Sequence, residues 1–389
     1  MPTSRKAQNR PKGRFSVKGA LSLVTAVGLL LALALAVTRI TPSTVAPSNL
    51  APTNVGGFLF VYQELAGEET AFWAADPQKP QNKRALLTVQ HREGYGPRAG
   101  LSPKGTHLAY TILPTSARDA PSTAELWVGE LTTGKTQLLQ TGVELRSTPL
   151  WSPDGGTILF VRLYERSSYT LETELATVPL KGGEAHSLIR DATSQGLYPI
   201  GWSPDGRRAY FSRVTPQGTD VASVTTSGEV ATVLHASDGI AREFLLSPDG
   251  SRVLYTSGPP PGKAGRYRVE SADLATGRKE TLAEGVSDHF SPIWRADGRA
   301  VTLSQEGGVA SIEPGGVSAL IAPAPGDSDD LPLAWSPEGR FLAVRSLEKA
   351  QGRYVSERLA IASPSGGRTN VETNGHAEFV GWLRGNSAP

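Results

Sequence analysis

The chain has 389 residues, enough for two average domains or one large repeat fold. Its 39 Lys and Arg against 37 Asp and Glu leave a net charge of +2, and it has no cysteine, which excludes disulfides, thiolate zinc sites, Fe–S clusters, cysteine nucleophiles and a lipid-anchor cysteine. With 42 Gly, 29 Pro and 39% apolar residues, the composition points to many short strands and turns rather than a helical bundle or disorder.

Residues 1–18 carry Arg5, Lys6, Arg10, Lys12, Arg14 and Lys18 and no acid. Removing them leaves 33 basic against 37 acidic residues, so no basic excess remains on the rest of the chain for nucleic acid. Residues 19–38 follow as an apolar segment, in which only Ser22 and Thr25 are polar between Gly19 and Val37. As a helix this run would be about 28 Å long, matching a hydrocarbon core of roughly 30 Å. The expectation is one transmembrane anchor, with the basic tail cytoplasmic and the remainder extracytoplasmic or periplasmic. A cleaved signal peptide is the competing reading, disfavoured because the small-residue triplet Ala34-Leu35-Ala36 lies inside the apolar run. Residues 39–57 are rich in Pro, Ser and Thr and lack apolar periodicity, so they are expected to be a linker to a domain spanning 58–389.

That domain is built from one repeated pattern. PRAGLSPKGTHLAY (97–110), TPLWSPDGGTILF (148–160), YPIGWSPDGRRAYF (198–211), EFLLSPDGSRVLY (243–255), SPIWRADGRAVTL (291–303) and LPLAWSPEGRFLA (331–343) are six copies, and EFVGWLRGN (378–386) is a worn seventh. Successive copies are 41 to 51 residues apart, the length of a four-stranded propeller blade. In each, an apolar strand ends at Trp or Leu and a tight turn leads into a second strand. Pro sets the first corner, Asp caps through its side chain, and Gly takes the position that needs positive φ. Third and fourth strands follow, as in AELWVGELTTG (124–134) and TQLLQ (136–140).

The pattern resembles the TolB-type, WD40-like (PD40) β-propeller repeat, with Ser-Pro-Asp-Gly intact at 152–155, 203–206 and 247–250. The resemblance covers residues 58–385 and implies an all-β propeller. TolB also carries an α/β domain before its propeller, which nothing here can supply, so its envelope role is not implied. Since the last copy supplies a first strand only, FLFVY (58–62), TAFWAAD (70–76) and ALLTV (85–89) are expected to complete its blade. Seven blades closed by both termini are therefore expected, which removes free sheet edges. Six blades is the alternative.

A search for chemistry finds little. The histidines His91, His107, His186, His235, His289 and His376 show no metal-ligand spacing, and no His-Glu-x-x-His occurs. No Gly-x-Ser-x-Gly is present, and the four residues after Gly385 are expected to leave no room for a hydrolase domain. Asp154, Asp205, Asp249 and Asp297 fall at equivalent turns of different repeats, so they read as turn caps. Neither a cofactor nor a metal is expected. All seven tryptophans fall in repeat strands and are expected to pack between blades.

The loops entering the first strands ring the mouth of the central channel in this architecture. They offer Arg98, Arg146, Tyr198, Arg242, Asp288, His289, Asp330 and His376, with Glu243 and Glu378 beside them. A mixed ring with several arginines suits an anionic group or an acidic peptide segment. The resulting expectation is a membrane-anchored, non-catalytic module that binds a protein partner in or near the membrane. A sensor taking a small ligand at the mouth is the alternative, and an enzyme is the least favoured reading.

Overall fold

Alternating apolar side chains make each repeat a run of antiparallel strands whose two faces are both buried, and a stack of such sheets must close on itself to hide its ends. The computed structural model describes residues 57–385 apart from 118–123, 168–169, 192–195, 261, 286–289 and 314–317. The expected tail, anchor and nearly all of the linker fall outside the described residues. No helix among the described residues is long and apolar enough to cross a membrane.

The described residues form an all-β propeller. Its first strands are β1 (Phe58–Ala66), β2 (Glu69–Ala75) and β3 (Lys83–Gln90). A long sheet follows, made of β4 (Arg98–Leu101), β5 (His107–Ile112), β6 (Ala124–Glu130), β7 (Thr136–Val143), β8 (Leu150–Trp151), β9 (Thr157–Ser167), β10 (Thr170–Pro179) and β11 (His186–Asp191). Next come β12 (Leu197–Trp202), β13 (Arg208–Thr215), β14 (Gly218–Thr225) and β15 (Val230–Ser237), then β16 (Ala241–Leu246), β17 (Arg252–Ser257), β18 (Tyr267–Asp273) and β19 (Lys279–Gly285). The last two sets are β20 (Ile293–Trp294), β21 (Val301–Gln305), β22 (Gly308–Ile312) and β23 (Ser318–Pro323), then β24 (Ser328–Trp335), β25 (Leu342–Ala350), β26 (Arg353–Ala362) and β27 (Arg368–Asn370).

Strand β28 (His376–Arg384) returns to the beginning and pairs with β1, from Phe58↔Arg384 to Leu65↔His376. The two ends of the chain thus share one sheet, ordered β28-β1-β2-β3. The expectation of seven blades is corrected by the sheets among the described residues. The sheets are five of four strands and one of eight, because the pair Val143↔Arg162 joins β7 to β9.

The repeated turn explains its own sequence. The Ser152 hydroxyl donates to Asp154 Oδ1 at 2.6 Å and accepts from Thr157 N at 2.9 Å, while Gly156 N donates to the same Asp154 oxygen at 2.9 Å. Ser203 with Asp205, and Ser247 with Asp249, repeat the 2.6 Å bond. Together with the backbone N–H of Ser251, the Ser247 hydroxyl holds the Asp249 carboxyl down at about 2. Gly250 sits at φ +69°, and a Cβ there would lie 2.5 Å from Cδ of Pro204 in the preceding turn. Glycine is thus required both by backbone conformation and by packing between neighbouring turns.

The indoles staple successive repeats together. Trp151 Nε1 donates to Gly100 O at 2.8 Å, Trp294 to Leu245 O at 3.2 Å, Trp335 to Thr302 Oγ1 at 2.9 Å and Trp382 to Ala334 O at 3.4 Å. Each reaches back into the preceding repeat, so the tryptophans pack between sheets and also tie them together by hydrogen bonds. Apolar clusters fill the seams: Phe72 with Tyr110, Leu126 with Phe160, Leu159 with Phe211 and Val221 with Tyr255 are examples.

Candidate functional site at the mouth end

Antiparallel pairing puts the Ser-Pro-Asp-Gly turns at one end of the sheets. The loops entering the first strands and the hairpins joining second to third strands lie at the other end, which is the mouth. Several first strands bend there. The register slips between Pro199 and Gly201 in β12, between Arg242 and Leu245 in β16, and between Pro332 and Ala334 in β24. An extra residue in one strand re-aims the side chains that precede it. In β16 the bulge includes Glu243, whose φ of 59° is left-handed for a non-glycine residue.

One consequence is a cleft between β12 and β16. It encloses about 410 Å³ and is lined by Tyr198, Ile240, Arg242, Glu243 and Phe244 among others. Tyr198 is 52% and Ile240 60% exposed, so an aromatic ring and an aliphatic side chain stand open beside a residue of each charge. Glu243 is anchored, because Thr256 Oγ1 donates to its Oε2 at 2.7 Å.

The second group sits where the ring closes. Glu378 accepts from Arg98 Nη1 at 3.0 Å and from Gln63 Nε2 at 2.9 Å, and lies 3.3 Å from His376 Nε2. The other imidazole nitrogen, Nδ1, is 2.7 Å from Glu357 Oε1. Glu357 comes from β26, His376 and Glu378 from β28, Gln63 from β1 and Arg98 from β4, so the chain of charges bridges three sheets. Hydrogen bonding to Glu357 and then Glu378 lifts the His376 imidazole to about 9. Burial alone would raise Glu378, but the His376 hydrogen bond and the charges of Arg98, His376 and Arg345 overcome it and hold the carboxyl near 2. His376 is therefore an imidazolium held between two carboxylates at neutral pH. Gln63 also donates to Pro97 O at 3.0 Å and is 2% exposed, while its Oε1 is buried without a hydrogen-bond partner among the described residues.

Of the residues expected at the mouth, Tyr198 and Arg242 meet in the cleft, and Arg98 and His376 meet through Glu378. Arg146 is exposed in the segment before β8. Asp330 is fully buried and ion-paired with Arg368, with Arg368 Nη2 3.1 Å from Oδ1. Asp288 and His289 lie outside the described residues. Gln63, Glu357 and Ile240 were missed. Gln63 had a signal, being the first polar residue of the run FLFVYQELA; Glu357 lies in the exposed half of β26, where one acid looks like any other. No group of three or more His, Asp or Glu among the described residues could hold a metal ion.

No family model matches the chain. A curated relative, the uncharacterized peptidase YuxL of Bacillus subtilis (strain 168), is 23% identical over 204 residues, covering 52% of this chain and 28% of that protein. The chain thus matches little more than a quarter of that relative's length. Among solved structures, one from a study of two prolyl endopeptidases has 14% identity and a TM-score of 0.57, covering 94% of this chain and 55% of that one. An oligogalacturonate lyase in complex with manganese has 15% identity and a TM-score of 0.54, covering 79% of this chain and 96% of that one.

Proposed function

We infer that this propeller of the TolB-type repeat serves peptide hydrolysis. The expected function is corrected. A relative named as a peptidase, and enzymes among the similar solved structures, overturn the expectation of a non-catalytic binding or sensing module. A propeller repeat does not exclude enzymatic work.

We propose that the chain works in peptide hydrolysis, as a peptidase-type propeller that takes its peptide substrate at the mouth. The cleft between β12 and β16 carries this reading. Its ring of Tyr198 and its Ile240, Phe244 and Val214 walls suit a substrate side chain, while Arg242 and Glu243 offer one charge of each sign to the polar ends of a peptide. Peptide-bond hydrolysis also needs a nucleophile or an activated water. Among the described residues a hydroxyl meets an imidazole at Thr70–His91, 2.7 Å apart and fully buried, and at Thr106–His107, 2.9 Å apart at the turn end. The mouth therefore positions the peptide. Quenched-fluorescent peptides incubated with the full chain in detergent test it. Saturable binding and turnover are expected, with Arg242→Ala raising KM; neither binding nor cleavage of any peptide would overturn the proposal.

We also propose that the eight-stranded sheet is two blades joined at Val143, which would give the propeller seven. Buried apolar clusters fill seven seams, and one of them packs Leu126 and Val128 against Ile158 and Phe160 inside that sheet. Residues 19–38 anchor the chain in a membrane with the propeller extracytoplasmic, near a protein partner in or beside the bilayer. Retention in the membrane pellet after carbonate washing supports the anchor, and release into the supernatant removes it.

A further inference from the structure

At the turn end, opposite the mouth, a second cavity of about 580 Å³ opens between the β24–β27 sheet and the sheet that closes the ring. Three turns bound it: 339–341 between β24 and β25, 363–367 between β26 and β27, and Pro77-Gln78 between β2 and β3. Its lining holds two arginines, Arg340 and Arg368, the hydroxyls of Ser363, Ser365 and Thr369, and no aspartate or glutamate.

Several exposed arginines, Arg207, Arg299 and Arg353 among them, have no ion pair among the described residues, and this cavity is lined by another of them. Arg340 has none among the described residues; its guanidinium lies 5.5 Å from the Phe341 ring centroid and is exposed. Arg368 places two guanidinium nitrogens on Asp330, and its Nε–H is buried without a partner among the described residues. The local turn also departs from the repeat. Where Asp154, Asp205 and Asp249 fold back onto a serine hydroxyl at 2.6 Å, this turn has the longer Glu338, and Ser336 Oγ accepts from Phe341 N at 3.0 Å. Ser363 Oγ accepts from Gly367 N at 3.1 Å and lies 3.4 Å from Gly367 O and 2.9 Å from Ser365 Oγ, so Ser363 is held within its own turn and the exposed Ser365 hydroxyl is the one that can rotate toward a ligand.

We propose that this cavity is an oxyanion site that takes a phosphate-type group. Arg340 supplies the uncompensated charge, and Arg368 Nε with the Ser365 and Thr369 hydroxyls supplies further donors. A tetrahedral oxyanion presents several acceptors in different directions, which fits donors arriving from separate turns, and guanidinium is the side chain best matched to it. Such a group could belong to a free phosphate compound or to a phospholipid headgroup. The turn end is also where Gly57 leads into β1, with Gly385 N donating to Gly57 O at 2.8 Å. The headgroup source, but not the anion site itself, rests on the proposed membrane anchor.

The test uses the full chain in uncharged detergent, titrated calorimetrically with inorganic phosphate, with dioctanoyl phosphatidic acid and with dioctanoyl phosphatidylcholine. Saturable binding of phosphate or phosphatidic acid is expected, weakened about tenfold or more by Arg340→Ala and partly restored by Arg340→Lys, as for loss of one charge-assisted contact. Comparable binding of phosphate and phosphatidic acid identifies a free anion as the ligand, and much tighter phosphatidic acid a headgroup. Because Arg340 is exposed on a turn, its variants keep the wild-type thermal midpoint and mouth-directed peptide binding. The proposal is overturned if neither anionic probe binds saturably, if phosphatidylcholine binds as well as phosphatidic acid, or if both Arg340→Ala and Ser365→Ala bind like the wild type.

Discussion

Replacing Glu378 by Gln tests whether the chain of charges at the mouth holds the ring closed. The substitution keeps the shape and an acceptor for Gln63, but leaves Arg98, Arg345 and the His376 imidazolium without their shared counter-charge. At about 1.4 kcal/mol for each tenfold change in proton affinity, holding a carboxyl near 2 instead of 4.5 corresponds to roughly 3 kcal/mol. Arg98 and His376 are each 44% exposed, so solvent screens about half of this and leaves about 1.5 kcal/mol. For roughly 330 folded residues, with an unfolding entropy of about 2.1 cal/mol/K per residue, the thermal midpoint should fall by about 2 °C at pH 7.

The pH dependence sharpens the test. A histidine raised from 6.5 to about 9 on folding contributes stability that is complete below 6.5 and lost as pH rises through 9. A glutamate lowered from 4.5 to about 2 contributes stability present above 4.5 and lost as pH falls toward 2. The wild-type midpoint, followed by tryptophan fluorescence, should therefore decline between pH 7 and 10 more than that of Glu378→Gln, and the two should converge at low pH. A midpoint within about 0.5 °C of wild type at pH 7, or a difference that stays constant from pH 3 to 10, refutes the latch.

Gly250→Ala should cost about 1–3 kcal/mol by denaturant unfolding, since it adds left-handed backbone strain to a collision with Pro204; Gly134→Ala has the same φ problem but open space, and should cost less. Trp335→Phe should lose about 1–2 kcal/mol with its buried bond to Thr302, whereas Trp202→Phe, whose Nε1 has no partner among the described residues, should cost clearly less in the same assay. Tyr198→Ala should raise KM for quenched-fluorescent peptides several-fold while leaving the thermal midpoint near wild type, because the ring is half exposed.

Most of the architecture was legible because the turn end is chemically self-contained. Ser152, Pro153, Asp154 and Gly155 satisfy one another within six residues, so the motif survives in sequence wherever the turn survives in space. The closure could be read too, since a first strand without its second and an orphaned second strand at the other end of the domain call for each other. The join between β7 and β9 could not. It rests on the single pair Val143↔Arg162, and no local pattern marks one cross-sheet contact. Pairings at the mouth were equally hidden. Arg98, Gln63, Glu357 and Glu378 lie up to 315 residues apart and meet only because the ring closes between them.

The same asymmetry explains why the repeat is legible in the sequence and the function is not. Every repeat must solve one problem at the turn end, so its residues converge. At the mouth each first strand begins with a different chemistry: Arg98 paired to Glu378, and Tyr198 and Arg242 lining a cleft. A census for catalytic motifs weighs contiguous strings, but groups assembled from several strands leave no string to find. Its emptiness therefore carried no information about the mouth, where bulged strands and a left-handed Glu243 mark the part of the fold least explained by the demands of the repeat. That cleft is where substitution should change peptide handling without changing stability, and the turns are where it should do the reverse.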